Sequence, residues 1–92
     1  MRSYHEINQK IKEIIKQVAE EQDIQIATVE DHHAIVDDLG FSSLDVATLA
    51  AYFEDEFHVD PFKMGVASVT SIRTVKEISK AYEKALKLSH QQ

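Results

Sequence analysis

Asp37-Asp38-Leu39-Gly40-Phe41-Ser42-Ser43-Leu44-Asp45 closes a loop on a glycine and opens a helix on paired serines. Gly40 frees the backbone for a tight turn. Ser42 or Ser43 can accept a hydrogen bond from one of the unpaired amides of a helix's first turn. An apolar pattern follows from Leu44. Val46, Leu49, Ala50, Phe53 and Phe57 recur at i, i+3, i+4, i+7 and i+11, one inward stripe, with Asp45, Thr48, Tyr52, Asp55 and Glu56 on the other side. Asp45 suits the positive end of the helix dipole. His58-Val59-Asp60-Pro61 ends the helix, because the residue before a proline avoids helical angles. The stretch therefore predicts a helix from about Ser43 to Phe57, entered through a turn.

Upstream, Ser3-x-x-Glu6 has the form of a capping box. Ile7, Ile11, Ile14, Ile15 and Val18 then form a core stripe, with Lys10, Lys12, Glu13 and Lys16 elsewhere on the surface. A membrane-surface helix is the rival, weakened by a polar face of mixed sign and an apolar face without aromatics. Glu20 to Ala34 shows no sustained period and reads as a long loop, with a strand-like or single-turn segment at Ile24 to Val29. Downstream, Phe62 to Arg73 reads as a short, weak helix or an irregular loop, offering Phe62, Met64, Val66, Val69 and Ile72 for packing. Thr74-x-x-Glu77 is another capping box, followed by a stripe of Val75, Ile78, Tyr82, Ala85 and Leu86; Ser89 to Gln92 should fray. Three amphipathic helices and a short one can bury their stripes together only as a compact bundle. The predicted fold is an all-α four-helix bundle, three main helices plus one short helix, with a long first loop.

Composition agrees. Only two glycines and one proline in 92 residues argue against a turn-rich all-β chain. No Pro- or Gly-rich linker flanks the helices, so one domain over residues 1–92 and a discrete protein are expected. Ten basic against sixteen acidic residues give a net charge of -6. That disfavours nucleic acid and anionic membranes and favours partners with basic docking surfaces. With no cysteine, any thiol chemistry must be added to the chain. No apolar run approaches the roughly 18 residues of a membrane span, and no signal pattern opens the chain, so it is expected to be cytoplasmic.

Catalytic and metal readings find little support. A nucleophile elbow needs glycine where Leu44 stands, and no histidine has a geometric claim on Ser43. His32-His33 point in different directions and lack a third ligand, and Asp31, Asp37 and Asp38 do not follow calcium-loop spacing. No catalytic residue and no metal site is assigned. Phosphate-cradling glycine loops need more than Gly40 and Gly65.

The serine stretch resembles the attachment site of acyl carrier proteins, an acidic residue, Leu and Gly, two variable positions, then Ser-Leu and an acidic or polar residue. The resemblance runs from about Ile7 to Leu86, through Leu49, Glu54-Asp55-Glu56-Phe57 and Thr74-Val75. It implies that Ser43, which directly precedes Leu44, is esterified with 4′-phosphopantetheine, and that Ser42 is out of register. It further implies a long first loop that wraps the bundle, with Ile35, Val36 and Leu39 as inward anchors. A phosphopantetheinyl transferase, using coenzyme A and Mg²⁺, would modify Ser43. The thiol of the arm would hold acyl groups as thioesters for loading ligases, synthases or acyltransferases. Partner recognition would fall on Asp45, Ala47, Thr48, Ala51, Glu54 and Asp55, and Ile35, Val36, Leu49 and Phe53 would lie near an acyl-chain interior, though ordinary core packing explains them equally well.

Thr48 and Ser42 stand where fatty-acid carriers usually have glutamate and aspartate, Phe41 puts an aromatic before the serines, and Pro61 to Thr74 is longer than in compact carriers. These departures leave room for polyketide or aminoacyl loading. The leading reading is a monomeric, non-catalytic acyl carrier of fatty-acid, polyketide or related biosynthesis. An aminoacyl or peptidyl carrier of the same fold is second, and an unmodified helical adaptor third.

Overall fold

Residues 2–68 and 72–90 are described by the computed structural model. They form three helices, α1 (Tyr4–Glu21), α2 (Ser43–Phe57) and α3 (Val75–His90). The first capping box is present: Ser3 Oγ accepts from Glu6 N–H at 3.2 Å, and Glu6 Oε1 accepts from Ser3 N–H at 3.1 Å. The box at α3 matches it, with Glu77 N–H donating to Thr74 Oγ1 at 3.2 Å and Thr74 N–H to Glu77 Oε1 at 2.9 Å.

These backbone bonds hold the carboxyls of Glu6 and Glu77 below their ordinary value of 4.5. A carboxyl whose pKa is depressed on folding stabilises the fold above its unfolded value and loses that contribution as the pH falls through the folded one. Glu77→Gln is therefore expected to flatten the loss of melting temperature below about pH 4.5 while changing the pH dependence near neutrality little. Melts followed by circular dichroism across pH 3 to 7 check this.

All five residues of the α1 stripe are buried, as are Val75, Ile78, Tyr82, Ala85 and Leu86 of α3 and Leu49, Phe53 and Phe57 of α2. Val46 and Ala50 on α2 are half-buried. Tyr82 stacks edge-on against Phe53 at 5.4 Å between ring centroids and also touches Phe57 at 5.3 Å. Helix α1 packs against both α3 and α2. On the outside of Phe57, Arg2 lies 4.9 Å over the ring and pairs with Glu56 at 2.7 Å.

The first loop, from the end of α1 to Ser42, is held by its backbone. Lys76 N–H donates to the Asp31 carbonyl, Val75 N–H to that of His33, and Ile35 N–H to that of Arg73. The pairing of Ala34 with Thr74 is an isolated bridge, and Ile24 to Val29 forms no named strand. Ile35, Leu39 and Phe41 are buried. Val36, expected inward beside them, is instead 53% exposed, because in the turn over 35–39 Ile35 is the neighbour that enters the core.

A buried polar junction fixes the same loop to the bundle. Asn8, 4% exposed, donates through Nδ2 to Asp31 Oδ1 at 2.9 Å and to Ser79 Oγ at 3.0 Å, while Ser79 donates to the Val75 carbonyl. Lys12 reaches Asp31 at 3.2 Å. Removing one partner from a buried polar group costs about 1–3 kcal/mol. Asn8→Ala is expected to destabilise the protein by that amount in urea titrations, with an unchanged helical spectrum.

Between α2 and α3 the segment expected to contain a short helix forms turns over 61–65, founded on Asp60, whose Oδ1 accepts from Phe62 and Lys63 N–H. Pro61 is fully buried, Phe62, Val66 and Ile72 are half-buried, and Met64 is 37% exposed. Val69, also expected to pack here, lies outside the described residues, as do Thr70, Ser71, Gln91 and Gln92.

Candidate functional site

The approach to Ser43 is built by Gly40. Its φ of 80° is the left-handed conformation that a Cβ disfavours. It follows a turn in which Asp38 and Leu39 N–H both donate to the Ala34 carbonyl, and Asp38 Oδ2 accepts from Ala34 N–H at 2.6 Å. Phe41, 1% exposed, then anchors the chain in the core immediately before the serines.

The two serines divide their roles. Ser42 is the cap: its Oγ accepts from Asp45 N–H at 3.1 Å, and Asp45 Oδ2 accepts from Ser42 N–H at 3.0 Å and Oγ–H at 2.9 Å. Ser43 is the first helical residue, is exposed, and makes no side-chain hydrogen bond to any described residue. The Ser43 and Leu44 amides, at the start of the helix, have no intrahelical acceptor. Leu44 is 78% exposed. A hydroxyl in this position is free for covalent modification, and a phosphate ester on it would sit at the positive end of α2.

Beside Ser43 an open cavity of about 460 Å³ enters the bundle between α2 and α3. Ile35, Leu49 and Phe53, three of the four residues placed near an interior at the outset, line it and are buried, while Val36 lines its exposed rim. Phe62, Ile78 and Tyr82 complete an apolar wall that sequence reading assigned to packing alone. Burial, with the charges of Asp60 and Glu54, pushes the Tyr82 phenol far above its ordinary pKa, so it stays neutral throughout the physiological range. Asp37 and Arg73 also line the cavity. Arg73 was missed as a site residue, and nothing local in Ser71-Ile72-Arg73-Thr74 marks it.

The positions expected to meet partners share the outer face of α2. Ala47, Ala51, Glu54 and Asp55 are exposed. Asp45 and Thr48 are half-buried and internally engaged, Asp45 in the capping box and Thr48 through a 3.2 Å bond to the Leu44 carbonyl. The face is therefore acidic mainly at its far end, where Glu54, Asp55 and Asp60 border a shallow cleft. In the first loop, His33 Nδ1 accepts from Glu30 N–H at 2.9 Å and its ring contacts His32. Among the described residues no group of three or more His, Cys, Asp or Glu could hold a metal ion, and no helix is long and apolar enough to cross a membrane.

An exposed, uncommitted serine at a helix start, carried by a bundle with an apolar cavity, fits a site of covalent attachment. Residues 9–81 match the family described as Phosphopantetheine attachment site. The chain is similar to the acyl carrier protein of Thermotoga maritima, 37% identical over 86 residues that cover 94% of this chain and 99% of that protein. It is also similar to the acyl carrier protein of Buchnera aphidicola subsp. Baizongia pistaciae, 31% identical over 80 residues, 83% of this chain and 94% of that protein. The chain belongs to the acyl carrier protein family, whose members are non-catalytic and bear 4′-phosphopantetheine covalently.

Proposed function

We propose that this protein carries acyl intermediates on a 4′-phosphopantetheine arm attached to Ser43 and passes them between enzymes of fatty-acid, polyketide or related biosynthesis, as a cytoplasmic monomer. The observation that carries this reading is the division between the serines: Ser42 satisfies the helix start, so the Ser43 hydroxyl is exposed and uncommitted beside the cavity. In the transferase reaction Ser43 Oγ bonds to the phosphorus nearest the pantetheine of coenzyme A, the pyrophosphate link breaks, adenosine 3′,5′-bisphosphate leaves, and the hydroxyl proton passes to the transferase or solvent. The arm supplies a thiol, absent from the chain itself, that holds acyl groups as thioesters.

The chain's own residues do the rest. Gly40 and Phe41 fix the turn that presents Ser43, and Ile35, Leu49 and Phe53 offer apolar surface to an acyl chain while Val36 borders the entrance. Ala47, Ala51, Glu54 and Asp55 give partner enzymes with basic surfaces a face to dock on, and Asp45 and Thr48 shape that face beside Ser43. The test is loading: the phosphopantetheinylated protein is offered separately to acyl-loading and aminoacyl-loading ligases and weighed intact. Acyl adducts are expected. Adducts from aminoacyl ligases alone would replace this reading with an aminoacyl carrier, and none from either would point to an adaptor.

A further inference from the structure

The cavity beside Ser43 is lined by one anion and, among the described residues, one cation, Asp37 and Arg73. Backbone bonds tie Arg73 to the serine segment. Its carbonyl accepts from Ile35 N–H at 2.9 Å, and the Ile35 carbonyl accepts from Phe41 N–H at 3.2 Å, two residues before Ser43. The Arg73 side chain is exposed and takes part in none of the ion pairs within 4.0 Å among the described residues. Its backbone N–H donates to Glu77, and its charge acts on that carboxylate through space.

The charge around Ser43 is otherwise acidic, with Asp37 and Asp38 before it and Asp45 after it. The last two are committed to backbone amides. A phosphodiester on Ser43 adds another full negative charge to this rim. Guanidinium, with a rigid fork of N–H donors, matches two phosphate oxygens at once. The Ser43 and Leu44 amides can meet only part of that charge.

Resting on Ser43 as the attachment point, we infer that Arg73 is the phosphate-binding residue of the carrier, pairing its guanidinium with the Ser43 phosphodiester and holding the root of the arm over the cavity mouth. Arg73 is a positioning residue and takes no part in transfer. Its effect is to restrict the first bonds of the arm and offset the acidic rim.

The test uses ¹⁵N-labelled wild type and Arg73→Gln, each modified with coenzyme A and a transferase and shown by tandem mass spectrometry to carry the group on Ser43. An adduct mapped elsewhere overturns the attachment reading and this inference with it. With the adduct on Ser43, the Arg73 Nε–H resonance of wild type is expected to shift between unmodified and modified protein. The ³¹P resonance of modified wild type should be displaced and broader than that of Arg73→Gln. Raising the salt to roughly 1 M, where screening acts over about 3 Å, should bring the two ³¹P signals together. An Arg73 Nε–H signal unmoved by modification, together with coincident ³¹P signals at low salt, would overturn the inference while leaving Ser43 as the attachment site. The Nε–H comparison needs no variant, so it holds even if Arg73→Gln folds poorly.

Discussion

Ser43→Ala is expected to fold as well as the parent and to accept no phosphopantetheine, whereas Ser42→Ala is expected to be modified and less stable. The contrast follows from the cap. Ser42 Oγ supplies the acceptor for Asp45 N–H, and losing a capping side chain costs about 1 kcal/mol, in a range of 0.5–2. For a chain of this size that is a fall in melting temperature of roughly 4–8 °C. The Ser43 side chain makes no hydrogen bond to any described residue, and alanine is the better helix former by a few tenths of a kcal/mol. Its removal should leave stability unchanged or slightly raised. Paired thermal melts and intact masses after transferase treatment separate the roles. Modification of Ser43→Ala, or a marked loss of its stability, would contradict the division.

The largest effect on folding is expected at Phe41. It heads the fully buried side chains by volume and lies directly before the cap, where it ties the Gly40 turn to the core. Phe41→Ala removes a whole ring from a packed interior, at a cost of about 3–5 kcal/mol. Total stability for small domains is about 5–15 kcal/mol. The melting temperature should fall by tens of degrees. Modification of Ser43 should persist only where the variant is folded, at low temperature. Phe41→Leu retains most of the buried surface and should lose much less. Guanidinium titrations of the three proteins measure both steps, and a Phe41→Ala variant within 1 kcal/mol of the parent would show that the turn does not depend on this anchor.

The helices were legible because each carries two independent signals, an apolar stripe and a cap. The boxes at Ser3 and Thr74 form as their spacing predicts, and the stripes from Ile7 and Val75 are buried throughout. The cap of α2 was legible only as one of two serines, Ser42 or Ser43; the bonds of Ser42 with Asp45 assign it to Ser42. The loops were harder. No period separates Ile35, 4% exposed, from Val36 beside it, because which of two neighbours turns inward is set by backbone bonds to Arg73 and within the turn over 34–41. Leu44 illustrates the same limit: its apolar side chain is exposed although it begins the pattern. The cavity was anticipated at Ile35, Leu49 and Phe53 only through the resemblance; the apolar pattern alone does not mark it, because a residue facing a gap between α2 and α3 and one facing solid core have the same hydrophobic signature. Arg73 joins the site through the register of Ile35 with the segment before α3, a long-range pairing that no local motif announces.

Ser43 Oγ is the atom proposed to bear the arm. The most direct measurement is tandem mass spectrometry of the wild-type protein after incubation with coenzyme A, Mg²⁺ and a broad-specificity phosphopantetheinyl transferase. A single phosphopantetheine adduct, with fragment ions that assign it to Ser43 and leave Ser42 unmodified, is the predicted result. An adduct on Ser42, or no adduct on a folded sample with several active transferases, would contradict it.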